Sequence, residues 1–305
     1  MEELQHYIDE YIYYIFIVII IIVIICILHK KVSYKDKLSY KDKLSYLDTP
    51  ELHDLCNSTK DEDNNIMVMM FTKGHIDEAR NCIYSYHKST GKKNIVVFAL
   101  DEETKEAMDK EGISCYYDIL FYNGSVKDSD YMTKQFDIIC YNKLLVIYAS
   151  LLQAVNVLWS DTDIVYFKYP FKKLYTIQKP ISIQNNTNQD NINNNLCAGF
   201  MFFKNTEQSK VFLHKCIDHI NNDYERLIVS KSDADQGIIN KFNDTNIINV
   251  LSVEEFPNGL VWWGKDTIKP LDFDRRNSYL VHNNWIVGLD NKVKRFKENG
   301  LWFIK

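Results

Sequence analysis

Residues 157–167 constrain this chain more than any other stretch. An apolar run, Val157-Leu158-Trp159, enters Ser160; Asp161 and Asp163 follow one residue apart; a second run, Ile164-Val165-Tyr166-Phe167, leaves toward Pro170. The first run is short, β-favouring and bounded by polar residues, which predicts a buried strand. Asp161 and Asp163 then stand at its carboxyl end, the edge of an open α/β sheet where ligands bind. Two carboxylates this close repel each other unless a cation or donors lie between them. An oxygen-preferring divalent ion, Mn²⁺ or Mg²⁺, fits, and such ions often share their shell with substrate phosphates. Asp-x-Asp occurs five times, also at Asp61/Asp63, Asp128/Asp130, Asp233/Asp235 and Asp272/Asp274, and a solvated turn accounts for any one taken alone. Only Asp161/Asp163 closes one apolar strand and opens directly into another.

The flanking segments predict an α/β fold with a mostly parallel sheet. Residues 66–71, 94–100 and 114–117 read as strands; residues 77–87, 102–111 and 134–154 read as helices. Strand alternating with helix, ending on the strand that carries the carboxylates, is the pattern of parallel α/β sheets. Beyond Pro170 the reading gives strands at 181–184 and 200–204, an asparagine-rich loop at 185–195, helices at 207–220 and 233–242, a turn at 257–259, a strand leading into His282 and a last helix at 291–299.

The chain has 305 residues and a formal net charge of −5, without a basic stripe, which argues against nucleic-acid binding. Without its N-terminal segment roughly 250 residues remain, enough for one large domain. Seven cysteines are scattered with no C-x-x-C pair, so zinc or a redox centre is not indicated and most read as reduced core residues.

Residues 11–28 form an uninterrupted apolar run. As a helix it is about 27 Å long at 1.5 Å per residue, close to the roughly 30 Å of a bilayer core. Tyr11, Tyr13 and Tyr14 suit one interface, and His29-Lys30-Lys31 the other. The acidic N-terminus and the lack of a small-residue cleavage site disfavour a removed signal peptide. The expectation is one transmembrane helix within a membrane anchor at 1–32. A six-residue repeat, Ser-Tyr-Lys-Asp-Lys-Leu at 33–38 and again at 39–44, then opens a stem and linker over 33–65, ahead of a globular domain over 66–305.

Three further stretches gain meaning beside Asp161/Asp163. Gly199, just before an apolar run, lets a ligand approach backbone, or is a plain turn. Asp235-Gln236 at a helix start offers a carboxylate and an amide to sugar hydroxyls, or is a solvated first turn. His282 is a third metal ligand or a satisfied histidine; Gly288 and Lys292 offer an N–H and an ammonium to a diphosphate.

In this order, residues 66–72, 157–170 and 199–204, Asp235-Gln236 with Asn240, Phe256-Pro257-Asn258-Gly259, and residues 282–292 with Trp302 resemble the nucleotide-diphospho-sugar transferases of glycosyltransferase family 77. The resemblance implies the GT-A fold, metal-dependent transfer of a sugar from a nucleotide donor, a UDP-sugar, to a glycan or glycoprotein acceptor, and retention at the anomeric carbon. It implies metal ligands at Asp161, Asp163 and His282, donor contacts at Thr72, Asp161, Gly199, Gly288 and Lys292, and catalytic sugar contacts at Asp235 and Gln236. Cys197 stands where the family often has asparagine; Asn194 and Asn195 are the nearby substitutes. All three metal ligands are expected at a solvated rim and not in the core, so that removing them changes melting little.

The resemblance also implies a lumenal, Golgi- or ER-like catalytic domain, with sequons at Asn57, Asn123, Asn185 and Asn243, whereas the lysines after the apolar run predict a cytosolic one. Two other functions compete. A metal-dependent nucleotidyl- or phosphotransferase normally carries a Gly-rich phosphate loop, and neither G-x-x-x-x-G-K-[ST] nor G-x-G-x-x-G occurs. A non-catalytic, membrane-tethered carbohydrate-binding protein on the same fold is the other.

Overall fold

A computed structural model describes residues 13–22, 24, 38–121, 134–190, 194–230 and 234–304. The chain divides into two units, Met1–Ser39 and Tyr40–Lys305. In the first, residues 13–22 and 24 are helical and their apolar side chains are largely exposed. The expected span, 11–28, lies partly outside the described residues, and among those described no helix is long and apolar enough to cross a membrane.

The second unit begins earlier than a stem over 33–65 allows. Tyr40, Leu47, Leu52 and Cys56 are all buried, and the Tyr40 ring packs on Tyr141 and Tyr224 at 6.2 and 5.6 Å. Helix α1, Pro50–Thr59, is started by the Thr49 side chain, which accepts from the Leu52 N–H, with proline at the first position. Polar composition concealed it, because only two of its residues, Leu52 and Cys56, are buried.

Strand β1 (Asn65–Phe71), helix α2 (Ile76–Thr90), β2 (Ile95–Ala99), α3 (Glu102–Lys110), β3 (Cys115–Tyr117), α4 (Lys134–Leu152) and β4 (Asn156–Ser160) build a parallel half-sheet in the order β3-β2-β1-β4. Every residue of β1 is buried, as a central strand covered on both faces requires. Met67, Met69 and Phe71 share one face with Ala79, Cys82, Ile83 and Tyr86 of α2.

β5 (Ile164–Tyr166) and α5 (Phe171–Thr176) lead to β6 (Ile181–Asn185), β7 (Leu196–Phe203), α6 (Glu207–Ser230), α7 (Asp235–Lys241) and β8 (Ile248–Val250). The main sheet continues β4-β7-β6-β8; β7 runs against its neighbours, and β6 and β8 are parallel to each other. α8 (Gly259–Trp263), β9 (Leu280–His282) and α9 (Leu289–Glu298) complete the chain. β5 leaves the main sheet and pairs antiparallel with β9, setting Ile164 opposite His282. That pairing brings residues more than a hundred positions apart to one spot. The six described cysteines are free and buried; Cys26 lies outside the described residues.

Candidate metal and donor site

The site is built at the carboxyl edge of β4. Ser160 pairs with Phe200, and the Asp161 N–H donates to the Gly199 carbonyl at 2.8 Å, so the Asp161–Asp163 turn starts fastened to β7. The chain then enters β5, whose partner β9 delivers His282. The ligand atoms of Asp161, Asp163 and His282 all lie within 4.8 Å of one another. Among the described residues of the other Asp-x-Asp pairs, Asp61 accepts from backbone N–H groups at 63 and 65 and Asp274 caps a turn at Arg276, whereas Asp235 joins the site through Lys143.

Asp163 is 2% exposed, and His282 is also buried. The expectation of a solvated rim therefore fails for these two: they are core residues with charged partners. His282 Nε2 lies 3.1 Å from Asp163 Oδ1, and Lys292 Nζ lies 2.8 Å from Oδ2. Burial alone would raise the Asp163 carboxyl, but Lys292 and His282 together outweigh it and hold the group well below the usual carboxylate range. Burial disfavours the His282 cation, yet the Asp163 carboxylate prevails and raises the imidazole to about 10. Lys292 is likewise pushed upward, burial being outweighed by Asp163.

A divalent cation fits these residues. A Cβ at Gly199 would come within 2.2 Å of His282 Cε1, 2.8 Å of Nε2 and 2.9 Å of Asp161 Oδ2. Glycine thus keeps open the space between the two ligands. Two carboxylates and an imidazole form a hard, mixed donor set suited to Mn²⁺ or Mg²⁺ when phosphate oxygens complete the shell.

Lys143 is the residue that sequence reading missed. It projects from α4, nearly buried, and its Nζ lies 3.2 Å from Asp161 Oδ1 and 2.6 Å from Asp235 Oδ2. It also donates to the Ala198 carbonyl at 3.2 Å and sits over the Trp159 ring. Burial opposes its charge, but Asp161 and Asp235 outweigh that and push it upward. Trp159 Nε1 donates to Asp161 Oδ1 at 2.8 Å. The signal was present: a lone lysine in the run Ile138-Ile139-Cys140-Tyr141-Asn142-Lys143-Leu144-Leu145-Val146-Ile147. A charge in such a helix must find a buried partner.

The remaining candidates fall into place around this core. Asp235 opens α7, buried, in its ion pair with Lys143. Gln236 Oε1 accepts from the Ala198 N–H at 3.3 Å, which ties α7 to the Gly199 strand. Thr72 directly follows β1, the neighbour of β4, and is 8% exposed. Gly288, at φ 91°, precedes α9 and so directs Lys292 toward Asp163. Cys197 lies 3.7 Å from His282 Nδ1. Of the two nearby asparagines, Asn195 accepts from the Asn186 side chain at 3.1 Å across the base of the loop, and Asn194 is exposed.

The sequence model of nucleotide-diphospho-sugar transferases matches residues 90–296. The chain is 28% identical over 294 residues to a UDP-galactose:fucoside alpha-3-galactosyltransferase of Dictyostelium discoideum, covering 80% of this chain and 44% of that protein. It is 25% identical over 166 residues to a UDP-D-xylose:L-fucose alpha-1,3-D-xylosyltransferase of Arabidopsis thaliana, covering 49% and 43%. The chain thus spans less than half the length of these curated relatives. Among solved structures, the glycosyltransferase GlyE of Streptococcus pneumoniae TIGR4 superposes with a TM-score of 0.51 at 12% identity, over 79% of this chain and 64% of that one.

Proposed function

Because the chain belongs to the nucleotide-diphospho-sugar transferase family, with the GT-A fold, we propose that it transfers a sugar from a UDP donor to a fucose-containing acceptor, with a divalent metal and with retention. The observation that carries this reading is the convergence of Asp161, Asp163 and His282 beside the Lys143–Asp235 pair. The relatives' names support the donor and acceptor classes: one uses UDP-galactose on a fucoside, the other UDP-xylose on fucose, each forming an alpha linkage.

Breaking the bond between the anomeric carbon and the diphosphate leaves negative charge on the phosphates and positive charge on the ring. Asp161, Asp163 and His282 would hold the metal, which supplies Lewis-acid neutralisation of the leaving diphosphate. Lys292, on a flexible stem with about a quarter of its side chain exposed, adds a point charge to the same oxygens. Asp235, oriented by its ion pair with Lys143, stabilises the positive ring or positions the acceptor hydroxyl. Gln236 and Gly199 shape the sugar side of the pocket, and Thr72 the nucleotide side.

Residues 11–28 are proposed to anchor the enzyme, with the catalytic unit lumenal. Of the sequons, Asn185 is 1% exposed and offers no access to a glycan, Asn57 lies on an exposed turn of α1, and Asn123 is outside the described residues. A glycan on Asn57 or Asn123 in membranes of the producing cell supports that orientation; a protease-sensitive, unglycosylated catalytic unit in sealed vesicles overturns it.

The full chain in detergent, given UDP-galactose or UDP-xylose and a fucoside, should release UDP and form product with Mn²⁺ and stop with EDTA. Asp161→Ala should nearly abolish transfer, a lost ligand typically costing 10–100-fold or more, while Asp272→Ala keeps a near-normal rate. Full transfer by Asp161→Ala, or none by the unmodified protein with any UDP-sugar, sinks the proposal.

A further inference from the structure

We infer that Gln184 is a positioning residue that fixes the tautomer of His282 and so presents Nε2 to the metal. The inference rests on the metal reading above and deepens it. Gln184 is fully buried in β6. Its Oε1 lies 2.7 Å from His282 Nδ1. Its Nε2 lies 3.0 Å from the Phe256 carbonyl and 3.2 Å from the Pro257 carbonyl.

The orientation of this amide is decided by its partners. Carbonyl oxygens only accept, so the end facing Phe256 and Pro257 must be the NH₂ group. The end facing His282 is then an oxygen without a proton, and the contact is a hydrogen bond only if Nδ1 carries the hydrogen. With Nδ1–H committed to Gln184, the hydrogen that a metal displaces is the one on Nε2, which faces Asp163 Oδ1 at 3.1 Å. Nε2 is the nitrogen turned toward Asp163 and Gly199. A reversed tautomer would set two acceptors face to face at 2.7 Å in a buried site, which costs the desolvation of both.

Backbone geometry supplies the reach. The β6–β7 register breaks between Ile183, opposite Met201, and Gln184, opposite Cys197. An irregularity of this kind re-aims the side chain next to it. The Pro257 carbonyl that receives the Gln184 amide also accepts the His282 backbone N–H at 3.1 Å. Side chain and backbone of His282 are therefore held from one small frame. Metal-bound histidines generally need such a partner on the second nitrogen.

The test compares two variants of the full chain in detergent. Gln184→Leu removes both the acceptor and the two donated bonds; Gln184→Glu keeps an acceptor toward Nδ1 but cannot donate to Phe256 and Pro257. Mn²⁺ affinity, read by electron paramagnetic resonance of the free ion, should fall about 10–100-fold in Gln184→Leu and stay within a few-fold of normal in Gln184→Glu. Nitrogen-15 spectra of the histidine-labelled, unmodified protein with diamagnetic Mg²⁺ should show His282 with Nδ1 protonated. A merely structural glutamine predicts the reverse order, since Glu loses the same two bonds and adds a buried charge, so equal or worse loss in Gln184→Glu overturns the inference. So does an Nε2-protonated His282, a readout that stands even where a variant fails to fold. If the unmodified protein binds Mn²⁺ and loses it on Asp161→Ala but not on Gln184→Leu, only the inference falls. If the unmodified protein binds no Mn²⁺, the metal reading falls and takes the inference with it.

Discussion

Lys143 holds one charge between two carboxylates, and that arrangement is worth more than its individual contacts suggest. Asp235 is nearly buried, so removing the ammonium by Lys143→Met strands a charge in the interior. Breaking such a pair costs about 3–5 kcal/mol, which lowers the melting temperature by about 10 °C in a domain of this size. The double variant Lys143→Met/Asp235→Asn should recover most of that melting while transfer stays lost, which separates folding from function. His282 gives a second prediction, measured in EDTA. Its folded value is raised to about 10 from an ordinary 6.5, so the protein binds more protons folded than unfolded between those pH values. Its stabilisation is fully present below pH 6.5 and is lost as pH rises through 10. The melting temperature should therefore fall across that window, and His282→Gln should flatten the fall; an unchanged slope refutes the assignment. Asp161, Asp163 and His282 were legible because carboxylates at a strand end and a histidine after a strand have chemical meaning in one dimension. The burial of Asp163 and His282 was not legible, since the cover comes from Lys292 and from the β5–β9 pairing, both distant in sequence. Asp163→Ala accordingly should lower melting markedly, leaving Lys292 and His282 facing each other unneutralised.

At the scale of elements, α7 shows how a motif can serve packing as much as chemistry. Asn240 accepts from the Leu196 N–H at 2.8 Å and donates to the Leu196 carbonyl at 2.9 Å, so one side chain completes the start of β7 as a strand neighbour would. Together with Gln236 on the Ala198 N–H, it fixes the strand that carries Gly199. Asn240→Ala leaves both groups of Leu196 without that partner, at a cost of about 1–3 kcal/mol. Amide exchange at 196–198 should accelerate more than exchange in β1; uniform exchange rates across the sheet would refute this docking role. The strands from 66 to 160 were readable as short apolar runs bounded by polar residues, and the helices as longer segments alternating with them. β8 was not, since its three residues, Ile248–Val250, are too few to show alternation. α1 and α5 were not, because their signals were caps and prolines rather than periodicity. The antiparallel β7 within a parallel sheet leaves no local mark at all; only the chain path reveals it.

At the scale of the whole molecule, the division at Ser39 and Tyr40 tells where the chain can be cut. Tyr40 packs edge-on against Tyr141 and at a tilt against Tyr224, Asp48 accepts from Gln153 at 3.2 Å, and Thr59 donates to Ser114 at 2.7 Å. Residues 40–59 therefore bind α4, α6 and the strand edge at β3 rather than spacing the catalytic unit from anything. Deleting residues 1–39 removes the exposed apolar helix and none of these contacts. The remaining protein should need no detergent, melt within a few degrees of the full chain and bind UDP with Mn²⁺. Deleting residues 1–65 removes Tyr40, Leu47, Leu52 and Cys56 from the core. Burying a large apolar side chain is worth about 1.5–3 kcal/mol, so the sum reaches the lower range of a protein's whole stability, about 5–15 kcal/mol. That shorter protein should melt at least about 10 °C lower or fail to accumulate. Parallel melting curves for the two truncations decide the point: equal melting would mean that residues 40–65 are a spacer after all, and collapse of the 1–39 deletion would mean that the apolar segment is part of the fold.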